Sequence, residues 1–208
     1  MRLGAPVYGE IATPRAWAEA HRQAGYSAAY CPQQLIAHPH DEALAREFMA
    51  EAQRLGLVIA EVGAWSNPLS PDPAERQKAM GLCIGRLELA DRIGARCCVN
   101  IAGSRGSSWC GPCRENYAAE TFESIVQTTR QIIDAVRPTR TVWAIEMMPW
   151  IAPDSADSYL ELMRAIDREA LGVHLDPVNI INSPYRYYHS GAVIQECFEK
   201  LGGHIRSC

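Results

Sequence analysis

No stretch of this 208-residue chain approaches the ~20 consecutive apolar residues that crossing a bilayer requires. The opening residues Met1-Arg2-Leu3-Gly4-Ala5-Pro6 lack the apolar run of a secretory signal, so a cytoplasmic chain with no membrane contact is expected. Excess charge is small: the net charge of -4 gives no long-range attraction to nucleic acid or anionic lipid, and no nucleic-acid partner is expected. Low-complexity tracts, sequence repeats and linkers are missing too, so residues 1–208 read as one domain. With 48% hydrophobic and 21% charged residues, the chain is too apolar for disorder.

Eight cysteines would suit a secreted disulfide scaffold. Cys83, Cys97, Cys98 and Cys197 lie in apolar segments, however, where a free thiol behaves as a small hydrophobe. Reduced thiols in a cytoplasmic protein are the expectation.

Short apolar runs alternate with longer amphipathic ones. Strands are expected at 2–8, 27–31, 57–63, 96–102, 141–147 and 172–176, with a last run at 204–208. Helical patterns lie between them at 14–25, 40–55, 73–93, 116–136, 156–168 and 190–201. Asp72-Pro73-Ala74-Glu75 offers an N-cap, a first-turn proline and a glutamate placed for a capping box. Thr13-Pro14 repeats the cap-then-proline logic, and Gly25, Gly56 and Gly94 each follow a helical run where a left-handed C-cap favours glycine. Pro138 stops the helix that carries Ile125, Ile132 and Ile133. Strand-helix alternation of this kind predicts an α/β fold with a parallel sheet. Periodicity alone leaves a doubly wound sheet and a closed barrel both open. An eight-fold barrel needs about 250 residues, so as a barrel the chain accounts for six β/α units and a seventh strand.

Functional groups of parallel α/β folds collect at the carboxyl ends of the strands. Glu146 ends Val142-Trp143-Ala144-Ile145-Glu146, and Asp176 ends Gly172-Val173-His174-Leu175-Asp176. By alternation Val142, Ala144 and Glu146 share one face, as do His174 and Asp176. An ionised carboxylate on an apolar strand is costly unless paired or metal-bound. Two of them on consecutive strands point either to a shared divalent cation, since carboxylate oxygens are hard ligands, or to separate pairing with arginines and loop caps.

With Glu146 ending the fifth expected strand and His174-Leu175-Asp176-Pro177-Val178-Asn179 ending the sixth, the chain resembles the xylose isomerase-like TIM-barrel superfamily, which includes sugar isomerases and epimerases. The resemblance implies an incomplete parallel (β/α)8 barrel, with the eighth strand and part of the seventh beyond Cys208. It also implies a divalent metal (Mn, Mg, Co or Zn) held by Glu, Asp, His and Glu from strands five to eight, of which Glu146 and Asp176 match the first two. Glu146 would double as acid and base in proton transfer beside a carbonyl, on a carbohydrate substrate. His204 lies too early to match the seventh-strand histidine, and Asn179 stands where many epimerases carry a histidine. His174 would act as a donor beside the metal or simply fill a barrel layer. Trp65, Asn100, Trp150, Asn179 and Arg186 are further candidates for substrate contact, the tryptophans as walls for a sugar face and Arg186 for a phosphate or carboxylate. Gly103-Ser104-Arg105-Gly106 is short for an anion cradle and matches no phosphate-binding signature.

Trp109-Cys110-Gly111-Pro112-Cys113 competes with this reading, because CxxC spacing lets a second thiol resolve a mixed disulfide. Cys110 and Cys113 would then define a thiol-disulfide oxidoreductase, although no thioredoxin-like βαβ context surrounds them. A third reading is a non-catalytic barrel fragment whose exposed strand edges invite homo-oligomerisation.

Overall fold

The computed structural model describes residues 1–9 and 11–208. Six parallel strands, β1 (Ala28–Tyr30), β2 (Val58–Gly63), β3 (Cys97–Ile101), β4 (Trp143–Glu146), β5 (Leu171–His174) and β6 (Ile205–Ser207), form one sheet in the order of the chain. The helices are α1 (Pro14–Gln23), α2 (Gln33–Ala37), α3 (Glu42–Arg54), α4 (Pro73–Ile93), α5 (Ala119–Val136), α6 (Ala156–Ile166), α7 (Pro177–Ile180), α8 (Pro184–Tyr188) and α9 (Ser190–Leu201). The sheet curls until side chains of β2 and β3 meet those of β5 and β6 across its interior: Cys97 Sγ lies 3.2 Å from Ser207 Oγ. The result is most of a TIM barrel, open between β1 and β6. None of the described helices is long and apolar enough to cross a membrane.

The two sheet faces divide by chemistry. Cys98, Trp143, Ile145, Met147, Val173 and Leu175 belong to the large apolar core. They pack there with residues of the surrounding helices such as Leu87, Ile125 and Leu162. Facing the interior, Cys97, Val99, Ala144 and Val142 form a small separate cluster. Alternation along β4 and β5 therefore sends Trp143, Ile145 and Val173 outward and leaves Ala144 and Gly172 on the inner face.

The N-caps and glycine C-caps read from sequence form, but the capping box at Asp72–Glu75 does not, because Asp72 N donates to Ser70 Oγ instead of Glu75. Thr13 Oγ1 accepts from Ala16 N, and Asp72 Oδ1 accepts from Ala74 N and Glu75 N. Gly25, Gly56 and Gly94 all have positive φ. The expected strand at 2–8 does not form. Only Leu3 reaches the sheet, its carbonyl accepting from Ser27 N and Ala28 N, while Gly4 packs so closely that a Cβ there would lie 2.4 Å from the Ala28 carbonyl oxygen. Pro6 has no N–H for a ladder. The apolar run there is real, but its backbone cannot continue pairing, and Met1, Leu3 and Tyr8 stay exposed.

Tyr159 of α6 ties the helical layer to the two strands that matter most. Its fully buried hydroxyl lies 2.7 Å from the Ile145 carbonyl and 2.9 Å from that of Gly172, and it accepts from Ile145 N at 3.2 Å. Removing one partner of a buried hydrogen bond costs about 1–3 kcal/mol. Tyr159→Phe is therefore expected to lower unfolding stability by about 1–3 kcal/mol, read from the urea midpoint; an unshifted midpoint would mean that the tie is idle.

Candidate active site

Glu146 and Asp176 end neighbouring strands, since Glu146 pairs with His174 and Asp176 follows two residues later on the same face. Their carboxyls lie within hydrogen-bonding range of each other. Asn179, on the short α7, spans them: its amide nitrogen donates to Glu146 Oε1 at 3.1 Å and to Asp176 Oδ2 at 3.2 Å. Asp176 Oδ1 also caps α7 by accepting from Val178 N. Burial, then the charge and hydrogen bond of Asp176, then the charge of Glu61 push Glu146 up to about 7, against the pull of Asn179. A carboxyl held there exchanges protons readily near neutral pH.

Beneath this pair lies a layer that simple alternation does not reveal. Ala29 pairs with Ile59 but Tyr30 with Glu61, so the register slips by one residue at Ala60. A second slip, at Arg206, separates the pairs Val173–Ile205 and His174–Ser207. Each bulge turns the following side chain inward. Glu61, only 7% exposed, thereby comes 3.8 Å from His174 Nδ1. Ser207 Oγ lies 2.7 Å from His174 Nδ1. Burial raises Glu61 to about 7 against the hydrogen bond from Ser207, and burial lowers His174 against the pull of Asp176. A neutral imidazole beside a carboxyl that binds its proton tightly is a better description here than an ion pair. Glu61, Tyr30, Arg206 and Ser207 also line a cavity of about 660 Å3 on the open side of the barrel. The Tyr30 phenol is raised by burial and by the charges of Glu61 and Glu146.

The remaining candidates fall elsewhere. Asn100 is fully buried on the helix-facing side, accepting from Ser66 N and donating to Ser66 Oγ and Cys83 Sγ. That corrects its expected substrate contact: a buried amide needs internal partners, and the expected strand did not say which face Asn100 takes. Trp65 leaves β2 for a separate surface cleft of about 570 Å3 shared with Trp109. Trp150 is half exposed and follows β4, with its carbonyl accepting from Asn116. Arg186 Nη1 donates to the carbonyls of Asp154 and Ile180, so this nitrogen is committed to holding loops together.

Nor is the 103–106 segment an anion cradle. The backbone N–H groups of Ser104, Arg105 and Gly106 donate to Asn67 Oδ1, Asn116 Oδ1 and Ser104 Oγ. In the CxxC segment, Cys113 Sγ donates to Glu115 Oε2 at 2.9 Å, and this hydrogen bond raises the thiol's pKa. A reactive thiol needs the opposite shift, so the oxidoreductase reading gains nothing from its surroundings.

Glu61 and Glu146 both hold protons in the folded chain that the unfolded chain releases. Their contribution to stability is complete below the unfolded carboxylate value and is lost as pH rises through about 7. The urea midpoint is expected to fall between about pH 5 and about pH 8, with a shallower fall in Glu61→Gln. Identical slopes in the two proteins would mean that Glu61 titrates normally.

No curated protein matches the sequence. Solved structures do. The probable 3-DHS dehydratase AsbF of Bacillus anthracis superposes with a TM-score of 0.71 at 18% identity, over 99% of this chain and 71% of its own. D-psicose 3-epimerase of Clostridium cellulolyticum H10, solved with D-tagatose, gives 0.71 at 15% identity, over 97% of this chain and 71% of its own. A xylose isomerase-like TIM-barrel protein of Mycobacterium smegmatis, in complex with magnesium, gives 0.58 at 15% identity, over 89% of this chain and 65% of its own. At these identities the likeness is one of fold. A sequence model of the family described as xylose isomerase-like TIM barrel, however, matches residues 18–204, nearly the whole length and both carboxylate-bearing strands, and on that match the chain belongs to the xylose isomerase-like TIM-barrel family.

Proposed function

We propose that this chain carries the carboxylate side of a divalent-metal-dependent isomerase or epimerase acting on a sugar, a sugar phosphate or a related polyol. The observation that carries this reading is the convergence of Glu146 and Asp176, with Asn179 donating to both. Relatives of the same fold described as a D-psicose 3-epimerase and as a magnesium complex support it.

The donor chemistry fits a hard cation in part. Two carboxyls crowded into hydrogen-bonding range repel when both are ionised, and a divalent ion relieves that repulsion as well as a shared proton does. Glu146 and Asp176 would hold it as two protein ligands. Among the described residues no group of three or more His, Cys, Asp and Glu is placed to hold one ion, so the remaining ligands would be water, substrate oxygens or groups outside this chain. Bound there, a divalent cation would polarise a substrate carbonyl and acidify the neighbouring C–H.

Glu146, at the end of β4 beside Asp176 and Asn179, is placed to take that proton and return it. Asp176 stays fixed by Val178 N and Asn179, which suits a ligand rather than a base. Tyr30 and Trp150, both about half exposed near the mouth, offer walls for the sugar face.

Glu146→Gln and Asp176→Asn should each weaken Mn2+ retention, measured by equilibrium dialysis, by more than the about 10–100-fold typical of outer partners. Asn179→Ala is expected within that range. Turnover of D-tagatose or D-psicose, read by sugar chromatography, is expected to disappear with Glu146→Gln. Unchanged Mn2+ binding in both carboxylate variants would rule the site out.

A further inference from the structure

Two of the five tryptophans gather where the reaction outlined above has no use for them. Trp65, on the loop leaving β2, and Trp109, on the loop leaving β3, are 47% and 44% exposed and line one cleft of about 570 Å3. That volume falls within the about 300–1,000 Å3 of small-molecule sites. Its other wall is α4, which contributes Glu75, Lys78 and Leu82, while Glu61, Glu146 and Asp176 take no part in it.

The walls are held in place by buried or half-buried polar groups. Asn67 Oδ1 accepts from Leu69 N and Ser104 N, and its amide nitrogen donates to the Ser104 carbonyl, so the two loops are tied together. Asn116, 1% exposed, accepts from Arg105 N and donates to the Gly111 carbonyl, bracketing Trp109 on both sides in the chain. Arg76 Nη1 donates to the Ser70 carbonyl, fixing the start of α4 against the first loop. Indoles on loops tied down in this way stay in the cleft, and apolar surface gathered there marks a binding site.

The charged groups of the cleft select the ligand. The Glu75 carboxylate and the Lys78 ammonium, exposed on the first turns of α4, have no hydrogen-bond or ion-pair partner among the described residues. Asp72 is committed, its Oδ1 accepting from Ala74 N and Glu75 N. A cation would meet the charge of Lys78, and an anion that of Glu75. A neutral hydroxylated ring meets neither penalty: its hydroxyls donate to Glu75 and accept from Lys78, while its C–H face lies on an indole.

We propose that the Trp65–Trp109 cleft is a second carbohydrate site, separate from the carboxylate pair, that takes a neutral pyranose ring. Methyl β-D-glucopyranoside is a suitable probe, because its equatorial substituents leave C–H groups on both ring faces. Its methyl group also keeps the ring from opening to a carbonyl, so it has no part in the reaction assigned to Glu146.

The experiment is saturation-transfer difference NMR on the full chain with millimolar glycoside and no added divalent cation. Transfer to the ring C–H protons is expected. Trp65→Ala and Trp109→Ala should each weaken binding about 2–10-fold, the worth of one aromatic face. Glu75→Ala and Lys78→Ala should weaken it too, and Glu146→Gln should leave it unchanged. Lys78→Ala alters only exposed surface, so it tests the site even where a tryptophan variant fails to fold. No transfer in the unmodified protein overturns the proposal, as does full transfer in both tryptophan variants or its loss in Glu146→Gln. Binding of choline in place of the glycoside overturns it as well, assigning the indoles to a cation. None of these results touches the isomerase reading, which stands or falls on Mn2+ retention and sugar turnover.

Discussion

Negative charge inside a curled parallel sheet has few ways to be held, and that constraint organises this protein's interior. Glu61, Glu146 and Asp176 share one enclosure, and the charge of each of the other two raises Glu146. Full ionisation of all three in a low-dielectric space is costly. The structure answers by raising Glu61 and Glu146 to about 7, with an asparagine amide that serves Glu146 and Asp176 and a serine beside Glu61. The inner face makes room with small residues. At Gly172 a Cβ would lie 2.7 Å from a Val142 methyl carbon, so the interior has no space for larger side chains at that level.

Much of this was legible in the sequence, for identifiable reasons. The helix ends were written in Thr13-Pro14, Asp72-Pro73 and the glycines, because caps depend on local chemistry. The convergence of Glu146 and Asp176 followed from alternation along two regular strands. Glu61 did not follow. In a regular strand Ile59 and Glu61 would share a face, which sets an aliphatic side chain beside an acid, and the bulge at Ala60 resolves the conflict by giving Ile59 to the core and Glu61 to the interior. That mixed pattern was the available signal. The absence of a strand at 2–8 was also foreshadowed, by Gly4 and Pro6, whose backbone limits outweigh an apolar composition.

The Trp109–Cys113 string illustrates the limits of motif reading. Its spacing matches a redox site, yet chemistry depends on what stabilises the thiolate, and Cys113 faces the carboxylate of Glu115 instead of a positive charge or a long helix N-terminus. The same holds for the glycine-containing 103–106 turn, whose amides are already satisfied by two asparagines and a serine. Both segments stand out in sequence because their residues are rare in combination, whereas the residues that gather in the barrel interior are individually ordinary.

Tyr159 has a consequence beyond the stability of α6. Its hydroxyl is pinned simultaneously to Ile145, next to Glu146, and to Gly172, two residues before His174. The oxygen acts as a fixed gauge block on the back of the sheet, setting the spacing of the adjacent strands whose tips carry the two acids. Because both acids ride on backbone clamped to one atom, a tilt of α6 would change the gap between them directly, giving a helix on the outer layer mechanical leverage over the barrel's mouth.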